Sequence, residues 1–339
     1  MSKGQAFEFG FSDSLLAEVG GVTQRDLHFH VEAINKAYEA IRPVAKRLGV
    51  EAPKPRLAGF AYTHIAALGA RIVFTEYEPK PEPLIQSPEE IDTLREPRNY
   101  LQADLIRERL RIFAELKRRF PEVPNFIGHL FEGPVTSATL LLGQRFLTLP
   151  YDDPPRAHRL LQFCVTSAQN YVRSLNEYFG EVSSAFTAGG FPDDLAGMFG
   201  PNLFKEFVVP YWEQLYQWMN AGQRMLHSEL LRAEHLPFLK QVKIDYYDPG
   251  TDQYLTPELL RARCPANFQC CITEWEVRDL DAKVLQRRYR DLAELEPYSI
   301  QFELTRLQNE PKTKALLEVA RELCAGDDAG RSKGTASPR

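Results

Sequence analysis

The feature that most constrains this chain is a unit repeated along its C-terminal two thirds, a short apolar run followed by a helical stretch. Strand candidates at 125–131, 184–189, 223–228, 242–246, 268–272 and 299–304 precede helical patterns starting near Val135 and over 201–220, 232–240, 256–263, 281–294 and 311–323. Parallel strands need a crossover connection between them, and a helix is the usual one. Six strand-then-helix units in a row therefore predict a parallel sheet wrapped by helices. Residues 71–74 offer a seventh strand, and one more hidden near the N-terminus gives eight. The expected fold is α/β, a (β/α)8 TIM barrel with an N-terminal helical extension. An open doubly wound sheet is the alternative, but no Gly-x-Gly-x-x-Gly follows any early strand.

Three segments are expected along the chain. Residues 1–56 read as a helical segment packed on the barrel, because Leu27, Val31, Ile34, Ala37, Tyr38 and Ile41 recur at three- and four-residue steps. The barrel covers 57–323. Within it lie a helix over 57–69, a proline-rich surface loop carrying Pro79, Pro81 and Pro83, and a charged helix over about 100–119. Residues 324–339 read as a disordered tail. The net charge is −5 with no basic stripe, which argues against nucleic acid as a partner. Nothing approaches a run of 18 apolar residues, and the first twenty do not read as a signal peptide. Five cysteines without C-x-x-C spacing fit reduced thiols, and so a cytoplasmic location.

In such barrels the chemistry lies at the C-terminal ends of the strands. Those ends deliver Glu132, Asp193 and Asp194, His227 and Glu229, Tyr247 and Asp248, Glu274, and Glu303, with Arg306 as the nearest candidate counter-charge. The mouth is expected to be acidic, with one histidine. His227 and Glu229 stand at i and i+2, on one face of a strand, so both could converge on a metal ion or a proton. Zinc accepts histidine nitrogen and carboxylate oxygen, and a catalytic site keeps one position open. His227, Glu229 and Glu303 are therefore the candidate metal ligands. In the blander reading the acids are solvated around a wide rim, and Asp193 and Asp194 cap the following helix. A serine or cysteine hydrolase finds no support, since Gly-x-Ser-x-Gly is absent and no cysteine stands at a strand end beside a histidine.

The runs FIGHLFEGPVTSATLLLGQRF, DDPPRAHRLLQFCVTSAQNYV and DDLAGMFGPNLFKEFVVPYWEQL, followed by QVKIDYYDPG and ALLEVARE, resemble in order the segments of the uroporphyrinogen decarboxylase superfamily. The likeness covers roughly residues 57–323 and implies a TIM barrel. Uroporphyrinogen decarboxylases proper bind an octacarboxylate with an N-terminal Arg-Gln-Ala-Gly-Arg motif. This chain reads GFSDSLLAEVGGVTQRD there, and an acidic mouth would repel such a substrate.

The superfamily's other branch moves methyl groups to or from a corrinoid held on a partner protein. Its thiol-methylating members carry zinc on a His-x-Cys pair and a later cysteine, positions that here read His227, Glu229 and Glu303. Carboxylates in place of thiolates leave a metal harder, better suited to polarising an oxygen. The resemblance thus implies a methyltransferase-like enzyme using a divalent metal, zinc first, on a small methyl donor or acceptor. Asp194, Glu132 or Tyr247 would position the substrate or protonate the leaving oxygen. Asp-x-His-x-x-Gly is absent, so the corrinoid would come on a separate protein. Two alternatives stand beside this one, a uroporphyrinogen decarboxylase-type carboxy-lyase and a non-catalytic ligand-binding barrel. A homodimer is left open.

Overall fold

The computed structural model describes residues 6–75, 79–128, 130–180 and 189–332. Its centre is a curled sheet of six strands, all parallel, that runs β1 (Ala6–Phe11), β8 (Ser299–Leu304), β7 (Asn267–Ile272), β6 (Tyr246–Asp248), β5 (Met225–His227), β4 (Gly190–Pro192). The first strand lies against the last, with Ala6 opposite Ser299 and Leu304 opposite Phe11. The N-terminal segment, expected as a helical extension laid on the barrel, thus supplies an edge strand of the sheet as well as the helices Asp13–Gly20, Gln24–Phe29 and Val31–Leu48. That edge strand is the one expected near the N-terminus.

Alternation along each strand separates two environments. In β8, Ile300, Phe302 and Leu304 are fully buried against the helices Ala282–Glu294 and Glu310–Ser332, whereas Gln301 and Glu303 turn to the other face. Burying each of the three apolar chains stabilises the sheet by about 1.5–3 kcal/mol. Glu8 and Gly10 of β1 fall in register with Gln301 and Glu303, so the polar face continues across strands. The concave side of this sheet therefore carries polar side chains from β1 and β8, and a solvent-sized space persists there.

Four expected elements differ. Residues 72–74 form β2 (Ile72–Phe74), which pairs antiparallel with β3 (Pro79–Pro81) in a separate hairpin and adds no stave to the main sheet. Phe74 is held instead by Phe29 and Phe60, at ring-centroid distances of 4.7 and 5.7 Å. Among the described residues of 125–131 there is no strand; Gly128 has φ +144°, which an extended ladder does not accept, and a side chain there would stand 2.4 Å from Thr63 Cγ2. The helix expected over 57–69 is confined to Thr63–Ala67, because the buried Arg109 guanidinium takes the carbonyl of Ala58 and holds the preceding stretch out of a helix. The strand expected at 242–246 starts late, at Tyr246, since Lys243 turns through φ 58° at the end of the helix Leu236–Gln241.

The expected strand at 184–189 lies, apart from Gly189, outside the described residues. The last helix, Glu310–Ser332, runs past residue 323 into the stretch read as a disordered tail; no proline or periodic break interrupts it there. All five cysteines are free. No helix among the described residues is long and apolar enough to cross a membrane.

Candidate functional site

A cavity of about 580 Å³ occupies the concave side of the sheet. His227, Asp248 and Asp194 line it at the C-terminal ends of β5, β6 and β4, and Glu132 reaches it from the stretch before the helix Pro134–Leu142. Glu8, Tyr246, Gln269, Tyr298 and Gln301 line it further towards the strand starts.

His227 is the centre of the upper part. Its Nδ1 donates to Asp248 Oδ2 at 2.8 Å, and its Nε2 faces Asp194 Oδ1 at 3.4 Å. Asp248 is itself fixed, since its Oδ1 accepts the Gly250 amide at 2.8 Å. Gly250 has φ +58°, and a Cβ there would stand 3.0 Å from His227 Cε1, so only glycine lets the loop pass this close to the ring. Burial alone would push the imidazole down. The Asp248 hydrogen bond and charge, with Asp194 and Glu229 behind them, carry it up to about 9. At neutral pH His227 is therefore an imidazolium with one N–H locked on Asp248. The other is held loosely and faces the cavity, the arrangement of a general acid.

The two aspartates expected as helix caps part company. Asp193 is fully buried, and it caps the start of Pro134–Leu142 from a distance in sequence. Its carboxylate accepts Thr136 N at 2.8 Å, Val135 N at 3.4 Å and Trp212 Nε1 at 2.7 Å. Gly133 is required beside it, because a Cβ there would lie 2.3 Å from Asp193 Cβ. Asp194 faces the cavity, and its Oδ1 also accepts the Glu229 amide at 3.2 Å. Burial, opposed by His227, leaves Asp194 raised. Glu132 is only 5 % exposed, and its Oε2 has no hydrogen-bond partner. Burial first, then Asp194 and Asp193, holds its carboxyl well above the usual range.

Of the other residues singled out in the sequence, Tyr247 is not at the mouth. It is fully buried on the outer face of β6, and its hydroxyl donates to the Ser228 carbonyl at 2.8 Å. In a strand neighbouring residues point to opposite faces, and it is Tyr246 and Asp248 that turn inward. Glu229 stays near His227, but its Oε1 accepts Thr251 N and Thr251 Oγ1, both at 3.1 Å. Glu303 lies apart from the cavity lining, near Asp13, Arg56 and Glu274; burial first, then Asp13, raises its carboxyl. Arg56 is the cation that acts on it, and Arg306, the candidate counter-charge for the mouth, is not in the cavity lining.

His227, Glu229 and Glu303 are thus not gathered as one ligand set. Among the described residues no group of three or more His, Cys, Asp or Glu is placed to hold a metal ion. His227 presents its ring nitrogens to two carboxylates as donors, whereas a metal needs a lone pair. The residues as arranged do not fit the expected zinc.

The sequence reading missed Asp248 as the partner of His227, and the polar residues deeper in the cavity. Their signal was present: Glu8 in AFEFGF, Gln269 in NFQCCI and Gln301 in SIQFEL each put a polar chain at an alternate position of a buried strand.

A curled parallel sheet with its acids and histidine at the strand ends marks a barrel-like α/β protein, with its site where such folds carry them. The chain belongs to the uroporphyrinogen decarboxylase (URO-D) family, whose model matches residues 28–259. Among solved structures it is similar to a methyltransferase from Methanosarcina mazei, at 15% identity and a TM-score of 0.68, with 95% of this chain and 94% of that one covered. A sequence search of curated proteins finds no match.

Proposed function

We propose that this member of the URO-D family is a methyltransferase-like enzyme that moves a methyl group between a small substrate in the cavity and a corrinoid carried by a partner protein. The observation that carries this reading is the His227–Asp248 pair, an imidazolium whose Nε2–H faces the cavity. Taking a methyl group from an oxygen requires that the oxygen leave, and it leaves far more easily as an alcohol or phenol than as an anion. His227 would hold that proton at Nε2, Asp248 would keep the ring oriented through Nδ1, and Asp194 with the buried Glu132 would position the substrate. A corrinoid, when bound, supplies a nucleophile for the methyl group. The cavity is far too small to enclose it, which is in keeping with a carrier that docks from outside.

The likeness to the M. mazei methyltransferase agrees with this reading, and the chemistry of the lining favours it over carboxy-lyase action on a polycarboxylate. The lining has no lysine or arginine among the described residues, and a multiply charged anion would meet four carboxyl side chains there against one imidazolium. Ala61 and Glu132 reach the cavity from segments outside the six strands. This supports reading those segments as the two remaining staves of a (β/α)8 barrel.

The test is to incubate the protein with cob(I)alamin and a panel of methyl ethers and follow the cobalamin spectrum for methylcobalamin. Methylation that disappears in His227→Gln supports the proposal. Decarboxylation of uroporphyrinogen by the wild type, with no methyl transfer from any donor, would replace it with the carboxy-lyase.

A further inference from the structure

The cavity has the makings of a site for a positively charged ligand. Four carboxyl side chains line it, Glu8, Glu132, Asp194 and Asp248, with no lysine or arginine among the described residues. His227, the one cationic group in the described lining, is already engaged between Asp248 and Asp194.

Acids alone do not make a site. Glu132 is the group that points to a ligand, for it is 95% withdrawn from solvent (5 % exposed), and its Oε2 has no hydrogen-bond partner. A buried polar atom left unpaired is costly, and its retention calls for an explanation such as a binding role.

Deeper in, two aromatic rings complete the chemistry. Tyr246 and Tyr298 meet edge to face with centroids 5.1 Å apart. Tyr298 is pinned, since its hydroxyl donates to Gln269 Oε1 at 2.8 Å and Gln269 Nε2 donates in turn to Gln301 Oε1 at 3.0 Å. Ring faces attract a cation through their quadrupole, and most strongly one that is weakly hydrated and out of water. Carboxyl groups and fixed tyrosine rings within about 580 Å³ suit a small organic ammonium, and they repel a carboxylate or phosphate of the same size.

We infer that the cavity binds a small organic ammonium ion, a protonated amine or a quaternary ammonium, with Glu132 and the Tyr246–Tyr298 pair among its contacts. Taking that ion to be part of the substrate rests on the methyl-transfer reading above; the binding itself does not.

The experiment is calorimetric titration of the full chain, without any corrinoid, using three probes of one shape. These are choline, its uncharged analogue neopentylcarbinol, and the anion tert-butylacetate. Choline is expected to bind at least about tenfold more tightly than neopentylcarbinol, a cation–π and charge effect of ordinary size, and tert-butylacetate is expected not to bind. Glu132→Gln should weaken choline by about fivefold or more and leave neopentylcarbinol within about twofold. The unchanged neutral probe shows that the variant is folded. Tyr246→Leu should lower the preference for choline over neopentylcarbinol in the same way. The inference is overturned if choline binds no more tightly than neopentylcarbinol, if choline does not bind, or if tert-butylacetate is the best ligand. Choline binding without methyl transfer to cob(I)alamin from any donor would leave this site standing and remove the proposed reaction. Methyl transfer without choline binding would do the reverse.

Discussion

Asp193 and Asp194 are neighbours in the chain, yet they belong to two regions with opposite uses for a carboxylate. On one side of β4, Asp193 is sealed among Thr136, Val135 and Trp212, with its oxygens occupied by hydrogen bonds. On the other, Asp194 shares the cavity with His227, Asp248 and Glu132, where donors and acceptors are left over. The difference teaches that acid content at strand ends says little about function until each oxygen is traced to its partner. A satisfied buried acid holds a fold together. An acid short of partners, beside a charged imidazole, is available for chemistry.

The largest expected effect falls on the satisfied side. Asp193→Ala leaves the Trp212 indole N–H and two backbone amides buried without an acceptor, and should cost about 3 kcal/mol or more of stability. Urea unfolding measures it; a loss under about 1 kcal/mol would mean that Asp193 does not hold the wall. Burial raises Asp193 to about 6. Because its folded value lies above its unfolded one, the carboxyl favours the folded state at acid pH, and that contribution fades as pH rises through about 6.

On the cavity side the burden moves from stability to turnover. His227→Gln should lower methyl transfer by about 100-fold or more, the usual contribution of a positioned acid, with the unfolding midpoint little changed. Rates within a few-fold of the wild type would remove His227 from the chemistry. Asp248→Asn addresses the same proton more gently. His227 is raised to about 9, so activity that needs the imidazolium should persist to about that pH and fall above it. In Asp248→Asn the alkaline limb should move down towards the ordinary histidine value of about 6.5. The direction is fixed, because removing a negative partner disfavours the protonated ring. A limb that stays in place would assign the titration to another group. The smallest effect concerns metal: protein purified without chelators should carry well under one equivalent of zinc. Stoichiometric zinc lost in Glu229→Ala would restore the ligand set read from the sequence.

Much of the fold was legible because its signal is local. β8 was read at its true bounds, and β7 and the helices Pro257–Arg263 and Ala282–Glu294 within about a residue, since apolar alternation and helical spacing agree with turn and capping residues there. The irregular stretches at 57–62 and 125–128 were misread as helix and strand. Their conformations depend on contacts distant in sequence, Arg109 with Ala58 and Gly128 with Thr63. In the site, strand-end position singled out His227, Asp194 and Glu132, and all three line the cavity. Tyr247 and Glu303 failed by orientation: a shift of strand start turned one outward, and the curl of the sheet set the other beside Asp13 and Arg56.

The sequence by itself determined that a parallel sheet would form and that its strand ends would gather carboxylates around one histidine, because side-chain periodicity and strand-to-helix order are properties of neighbouring residues. Only the tertiary structure decided which of those carboxylates meet. Asp248 lies 21 residues after His227 and reaches it at 2.8 Å through the register of β5 with β6. Glu229, two residues away, is drawn off to Thr251. Proximity in a folded sheet is set by strand pairing and twist, and neither is written in the spacing of a single strand.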